Sequence, residues 1–380
     1  MAIETRQIQM VDLQTQYQKI KKEVDAAIQE VMDTGMFVNG PAVKEFCDNL
    51  ASFLDVKHVI PCANGTDALQ IALMALDLKP GDEVITCPFT FVATVEVIAL
   101  LGLKPVFVDV DPDTYNMDVQ KLKAAITEKT KAIIPIHLFG QGADMEPIMK
   151  IADEHGIPVV EDNAQAIGAD YYFKDGKSQK LGTIGKIGCT SFFPSKNLGA
   201  FGDGGAMFTN DDALADRLRM IVNHGMKVRY YHDDIGVNSR LDAMQAAVLN
   251  VKLKHLETYN EARREAANFY DSLLMDKPDV QTPVRSVFSS HVFHQYTLKI
   301  EGKRDQVAKH LQESGIPHGI YYPVPLHVQK AYDGYGYKAG DFPVSETLAE
   351  KVLSLPMHTE LDESLQKFII EKLEEGLNIA

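Results

Sequence analysis

"KHVIPCANGTDALQIALMAL", residues 57 to 76, changes its periodicity half-way along. It starts as a short β-branched run that ends in the polar turn Asn64-Gly65-Thr66, and continues as a helical pattern. The same change recurs along the chain: "DEVITC" precedes "FVATVEVIALLG", and "KPVFVDV", "KAIIPIHL", "IPVVED" and "IGCTSFF" follow in the same rhythm. Such alternation predicts parallel strands joined by crossover helices. The nearly unbroken apolar character of the runs predicts a sheet covered by helices on both faces. From about residue 241, "LDAMQAAVLNVKLKHLETYNEARREAANFYDSLL" predicts one long helix. "HVFHQYTLKI" then alternates like a half-buried antiparallel strand, and two more helical stretches close the chain. The expected fold is α/β: a large, mainly parallel-sheet domain over residues 1–250, with a helical N-terminal segment, and a smaller C-terminal α+β domain over 251–380. No low-complexity linker separates the two.

Composition narrows the partners. Apolar residues make up 45% and charged residues 24%, ordinary for a globular protein with a substantial core. A formal net charge of -15 argues against nucleic acid, whose binding needs a basic footprint, but leaves room for an anionic small molecule held by local charge. Cys47, Cys62, Cys87 and Cys189 are widely spaced and form no CxxC pair, as expected of small buried hydrophobes in a reducing compartment. "MAIETRQIQM" carries no apolar signal core, and the run "VATVEVIALLGL" is too short to span a bilayer. The expectation is a cytoplasmic protein with no membrane partner.

In open parallel sheets, ligands bind beyond the carboxyl ends of the strands, so the residues just after each apolar run carry the information. Asn64-Gly65-Thr66 opens a helix, where free N–H groups, the dipole and a hydroxyl can seat a phosphate. Taken alone, an N-cap with a tight turn is the commoner meaning. "IPVV" ends in Glu161 and Asp162, with Gln165 three residues on; a carboxylate there is often only a cap. "SFFPSKNLGAFGDGGA", residues 191 to 206, sets Lys196 after a proline and before four glycines. Pro194 restricts the approach, while Gly199, Gly202, Gly204 and Gly205 allow close backbone contact. A lysine that attaches a carbonyl cofactor needs such rigid holding and a lowered pKa; most loop lysines are simply solvated. No GxxxxGK[ST] exists, and "GAFGDGG" is not a GxGxxG after a first strand. Pyridoxal phosphate needs a lysine, a phosphate cup and a carboxylate for its ring nitrogen, and all three are present.

"SFFPSKNLGAFGDGGA", "EDNAQAIGA", "ANGTDAL", "PFTFVAT" and "GVNSRLDAMQAAVL", in this order of use, resemble the DegT/StrS-type nucleotide-sugar aminotransferases. The resemblance runs from "VDLQTQYQKI" to "SLPMH", nearly the whole chain. It implies the aspartate aminotransferase fold (fold type I), pyridoxal phosphate as cofactor, and glutamate as amino donor, with the amino group carried on the cofactor between two half-reactions. By resemblance, Lys196 is the lysine that binds the cofactor covalently and moves the proton, and Asp162 is the acid facing the ring nitrogen. Gln165 lies by the phenolic oxygen, Phe91 stacks on the ring, and Gly65, Thr66 and Ser191 hold the phosphate. Asn238 reaches the phosphate of the neighbouring subunit, so the expected assembly is a homodimer with shared sites. Relatives with histidine in place of the lysine are dehydratases; this chain keeps the lysine.

"HGMKVRYYHDDIGVNSR" and "YYPVPLH" resemble the branch that aminates 3-keto sugars, nearest to enzymes of UDP-2-acetamido-2-deoxy-3-oxo-glucuronate in cell-surface polysaccharide biosynthesis. Arg229, suited to a glucuronate carboxylate by bidentate hydrogen bonding, and Tyr321 and His327 are the expected substrate contacts. Arg229 could equally serve glutamate, or be solvated. His327 is also found in enzymes for dTDP-linked 3-keto-6-deoxyhexoses, the alternative substrate class. A non-catalytic binding or regulatory protein on the same fold is disfavoured by Lys196, and a nicotinamide oxidoreductase by the missing GxGxxG. His291 and His294 sit three apart in the expected strand, on opposite faces, and no HExxH or Cys/His cluster exists, so no metal is expected.

Overall fold

The computed structural model describes residues 8–379; the opening "MAIETRQ", part of the stretch read for a signal core, lies outside them. Two helices lead in, α1 (Leu13–Thr34) and α2 (Pro41–Leu54). The alternation follows as β1 (His58–Cys62), α3 (Gly65–Ala75), β2 (Glu83–Thr86), α4 (Ala93–Leu100), β3 (Lys104–Phe107) and α5 (Val119–Ala125). It continues with β4 (Thr130–Ile133), α6 (Met145–His155) and β5 (Val160–Asp162). After the hairpin β6 (Asp170–Tyr172) and β7 (Ser178–Lys180) come β8 (Ile187–Ser191), β9 (Gly205–Thr209) and α7 (Asp212–Ile221).

Two hydrogen-bonded strand groups, β1-β9-β8-β5 and β3-β2-β4, meet through the parallel bridges Ile133–Val159 and Ile136–Asp162. The result is one seven-stranded sheet in the order β1-β9-β8-β5-β4-β2-β3. Its β2 and β9 are buried throughout, because helices cover both faces. The parallel α/β expectation is borne out, with one exception. β9 runs antiparallel to both β1 and β8. "GAMFT" follows directly on the glycine loop, so it returns beside β8 without a crossover helix.

A second hairpin, β10 (Met226–Val228) and β11 (Tyr231–His232), precedes the expected long helix. That helix is two, α8 (Ala243–Leu253) and α9 (Leu256–Leu274). The last turn of α8 tightens to an i−3 bond, His255 N–H to Lys252 O at 3.0 Å. The break lets each helix bury a different face. Ala246, Leu249 and Leu253 join the core with α2 and Phe192, while Ala266, Ala267, Tyr270 and Leu274 join the C-terminal core.

The C-terminal part holds the sheet β12 (Val280–Gln281), β13 (Tyr296–Ile300) and β14 (Val352–Leu355), with α10 (Arg304–Glu313), α11 (Pro343–Lys351) and α12 (Glu363–Asn378). Three helices follow β13 rather than two. β13 also starts five residues later than the alternation suggested. His291–Gln295 run instead beside residues 139–141, through Val292 N–H to Gly140 O (2.8 Å) and Gln295 N–H to Phe139 O (3.3 Å). Phe293 has φ +44°, which breaks the period-2 pattern and turns His294 toward the large sheet. No helix of the described residues is long and apolar enough to cross a membrane.

Candidate active site

The carboxyl ends of β1, β5 and β8 open into one cavity of about 680 Å³, walled by residues of both sequence halves. It brings together Gly65, Thr66, Phe91, Asp162, Gln165, Ser191, Lys196 and Tyr321, eight of the residues singled out from the sequence. Asn238, Arg229 and His327 are elsewhere.

Lys196 stands in the loop between β8 and β9. That loop is tied down from below by two helices. Asn197 Nδ2 donates to Asn260 Oδ1 and to Val292 O, both at 2.8 Å, and Lys252 Nζ donates to Gly199 O at 2.6 Å. Gln245 Oε1 accepts from Phe201 N–H at 2.8 Å. Gly199 must be glycine: a Cβ there would lie 2.2 Å from Pro194 O. The glycines thus let the loop fold tightly enough to be anchored, and the anchoring holds the lysine's base. Its side chain lines the cavity. Burial there lowers its pKa from 10.5 to about 8, against the opposing pull of Asp162.

Asp162 ends β5 with its backbone locked into the sheet: its N–H reaches Pro135 O (2.9 Å), and its carbonyl accepts from His137 N–H (3.0 Å). Oδ2 accepts from Thr94 Oγ1 at 2.8 Å and Oδ1 from Ala164 N–H at 3.1 Å. Its neighbour Glu161 turns the other way and is fully buried. It accepts from Gly182, Ile184 and Gly185 N–H (2.8, 2.7 and 2.6 Å) and pairs with His137 Nε2 at 2.9 Å. Of the two carboxylates, Glu161 fastens the β7–β8 connection and Asp162 faces the ligand space.

At the other end, Asn64 Oδ1 caps α3 by accepting from Asp67 N–H at 2.8 Å. Gly65 packs so closely on β8 that a Cβ would come within 2.7 Å of Ser191 Cβ, leaving the first N–H groups of the helix open to the cavity. Phe91 is 54% exposed despite its size; it lines the cavity, with the ring of Tyr322 at 6.5 Å. Gln165 is held by both ends: Oε1 accepts from Phe139 N–H (2.6 Å) and Nε2 donates to Tyr322 Oη (3.2 Å). A planar, phosphorylated aldehyde fits these residues: an anion seat, an exposed aromatic face, a buried carboxylate and a neutralisable amine.

Arg229 sits at the exposed tip of the β10–β11 hairpin, stacked on Tyr230 at 4.9 Å. Asn238 is exposed and bridges Asn223. His327 is buried outside the cavity, against Phe342, with Nε2 2.9 Å from Glu346 Oε1. The glutamate on α11 and an aromatic pocket hold the ring. Conversely, Thr94 and Tyr322 were not singled out, and His294 was weighed only as a metal ligand. Thr94 lay inside the quoted "PFTFVAT", but only the structure shows its hydroxyl meeting Asp162.

A model of the DegT/DnrJ/EryC1/StrS aminotransferase family matches residues 18–374. The chain belongs to that family. A pleiotropic regulatory protein of Geobacillus stearothermophilus is 50% identical over 97% of this chain and 98% of its own. A UDP-2-acetamido-2-deoxy-3-oxo-D-glucuronate aminotransferase of Pseudomonas aeruginosa is 48% identical, over 96% and 99%. A UDP-N-acetyl-3-dehydro-alpha-D-glucosamine 3-aminotransferase of Acidithiobacillus ferrooxidans is 46% identical, over 94% of each. A dTDP-3-amino-3,4,6-trideoxy-alpha-D-glucose transaminase of Streptomyces venezuelae is 39% identical, over 98% and 97%. Among solved structures, a family aminotransferase from Brucella abortus superposes with TM-score 0.92 at 45% identity, over 98% and 100%. NtdA of Bacillus subtilis, solved with bound cofactor PMP, superposes with TM-score 0.86 at 32% identity, over 95% and 82%. The protein is an aminotransferase of fold type I that uses pyridoxal phosphate.

Proposed function

We propose that the enzyme moves an amino group from glutamate to the 3-keto carbon of UDP-2-acetamido-2-deoxy-3-oxo-glucuronate. The observation that carries this is the cavity itself, with a neutralisable Lys196 on its floor and Asp162 in its wall. Pyridoxal phosphate, when bound, supplies the aldehyde that takes up the amino group and a ring that withdraws electrons. The chain's part is then positional. Lys196 binds the aldehyde and carries the proton between substrate carbon and cofactor. Asp162 keeps the ring nitrogen protonated, with Thr94 fixing its carboxylate. Gly65, Thr66 and Ser191 would hold the phosphate, Phe91 would cover a ring face, and Gln165 would stand at the phenolic oxygen.

The 3-keto-glucuronate reading draws on the higher identity to the enzyme named for that substrate than to the dTDP-sugar transaminase. A purely regulatory role sits poorly with a cavity lysine whose pKa burial lowers to about 8. Turnover with the glucuronate, the 3-keto-N-acetylglucosamine and a dTDP-3-keto-6-deoxyhexose as competing acceptors tests the assignment. The first should have the highest kcat/KM; preference for either of the others overturns it.

A homodimer completes the picture. Met36, Phe37, Val38, Phe193, Val228, Tyr230, Tyr231 and Ile235 are large apolar side chains between 49% and 81% exposed, more than a solitary surface ordinarily leaves bare. Asn238 and Arg229 lie by the same hairpin, and in the dimer they would serve the neighbouring cavity. If Arg229 grips the glucuronate carboxylate, Arg229→Ala should cost about 2–4 kcal/mol in kcat/KM toward that acceptor alone. The glutamate half-reaction would change little. Equal losses for uronate and 6-deoxy acceptors would remove carboxylate recognition from Arg229, and a change under about 0.5 kcal/mol would mark a solvated residue.

The lowered pKa of Lys196 has its own consequence. Only the neutral amine attacks an aldehyde, so the fraction able to react grows as pH rises through the folded-state value. The rate of pyridoxal phosphate attachment to the cofactor-free protein, followed by visible absorbance, should therefore climb up to pH about 8 and level off above it. An ordinary lysine would still be accelerating near pH 10.

A further inference from the structure

Lys252, on α8, is a cation that the fold encloses without a counter-charge. It is 1% exposed, and among the described residues its Nζ has one hydrogen-bond partner, Gly199 O at 2.6 Å. The ring centre of Phe201 lies 5.6 Å away. The charged group that acts on it is another cation, Arg263 of α9, and no carboxylate of the described residues pairs with it. Burial, and after it Arg263, push its pKa from 10.5 down to about 8. Its neighbours along the helix, Val248, Leu249, Val251 and Leu253, all belong to apolar cores. An ammonium group enclosed there with a single carbonyl acceptor lowers stability, and an apolar side chain of similar length would suit the place at least as well.

What the group touches accounts for its presence. Both Gly199 and Phe201 lie in the leg of the loop that leads from Lys196 to β9. Gln245, two turns earlier on the same face of α8, accepts from Phe201 N–H at 2.8 Å, so residues 245 and 252 grip that leg at two points. The two legs are tied to each other as well. Ala200 N–H donates to Phe192 O and Lys196 N–H to Phe193 O, both at 2.8 Å. Gly199 lies so close to Pro194 O that no Cβ fits between them. A displacement of Gly199 is therefore passed to Pro194, and through it to the base of Lys196.

We propose that Lys252 is a positioning residue for the aminotransferase reaction: its bond to Gly199 O sets where the Lys196 amine stands, although the enclosed charge lowers the stability of the fold. It acts through the loop, since Lys252 does not line the cavity. The proposal rests on reading Lys196 as the lysine that binds the cofactor.

Lys252→Met keeps the length of the side chain and removes its charge and its donors. Pyridoxal phosphate should attach to the cofactor-free variant at pH 7 at least about tenfold more slowly than to the wild type, because the amine is no longer held in line with the aldehyde. The visible circular dichroism of the bound cofactor, which reports how firmly its ring is held in the chiral site, should weaken. Tm should stay within roughly 3 °C of the wild-type value or rise. Lys252→Leu serves if the methionine variant does not fold. An attachment rate and a dichroism band like those of the wild type overturn the proposal, and a fall in Tm as the only change marks an ordinary core residue and overturns it too. So does failure of both variants to fold, which would assign Lys252 to the fold itself. A wild-type protein in which borohydride does not link the cofactor to Lys196 would instead overturn the reading of Lys196 on which the proposal rests.

Discussion

Lys196→Ala is expected to yield a protein that binds pyridoxal phosphate without covalent attachment and turns over at least about 10⁴-fold more slowly, roughly 5 kcal/mol of lost transition-state stabilisation. The wild type should be yellow, and borohydride should fix the cofactor to the peptide that contains Lys196. The size of the effect follows from the geometry. The loop that holds this lysine is fastened at Asn197, Gly199 and Phe201 by side chains of α8 and α9. No other lysine lines the cavity, so nothing nearby can take its place. A variant that retained the borohydride-stable adduct would show that another amine does this work.

The second large effect is expected at Asp162. Asp162→Asn preserves the size and an oxygen for Thr94 Oγ1, but removes the charge. The ring nitrogen would tend to lose its proton, and turnover should fall on the order of 10²- to 10³-fold, about 3–4 kcal/mol. The same variant carries a second readout. Asp162 raises the Lys196 pKa against the larger lowering by burial, so its neutralisation should move the pH midpoint of cofactor attachment below the wild-type value of about 8. A near-normal rate, with an unmoved midpoint, would assign the acid's role to another group. Glu161→Gln should behave differently: it loosens the carboxylate that holds residues 182–185, and the loss should appear first as a lower Tm.

Much of this arrangement was legible in the chain because the sheet and the chemistry leave strong local signals. Buried parallel strands need continuous apolar runs, and a ligand at their carboxyl ends needs unusual residues just after them; Gly65, Asp162 and Lys196 satisfy both conditions. What stayed hidden depends on contacts distant in sequence. β9 has no crossover helix to announce it, since its glycines serve the loop and the strand together. The break between α8 and α9 comes from two cores pulling on two faces of an otherwise helical sequence. His294 looked like one face of an alternating strand, and only its pairing with Phe139 and Gly140 turns it into the cavity. His327 shows the converse. Its motif suggested a substrate contact, but a glutamate nineteen residues on and the ring of Phe342 hold it outside the cavity.

The most direct test of the central claim is to follow the nitrogen. The enzyme, loaded with pyridoxal phosphate, is incubated with ¹⁵N-glutamate and UDP-2-acetamido-2-deoxy-3-oxo-glucuronate, and the nucleotide-sugar product is read by mass spectrometry and NMR. The account predicts a 3-amino sugar that carries the ¹⁵N label, formed by the wild type and not by Lys196→Ala. A cofactor-loaded enzyme that transferred no label to this or any other keto nucleotide-sugar would contradict it.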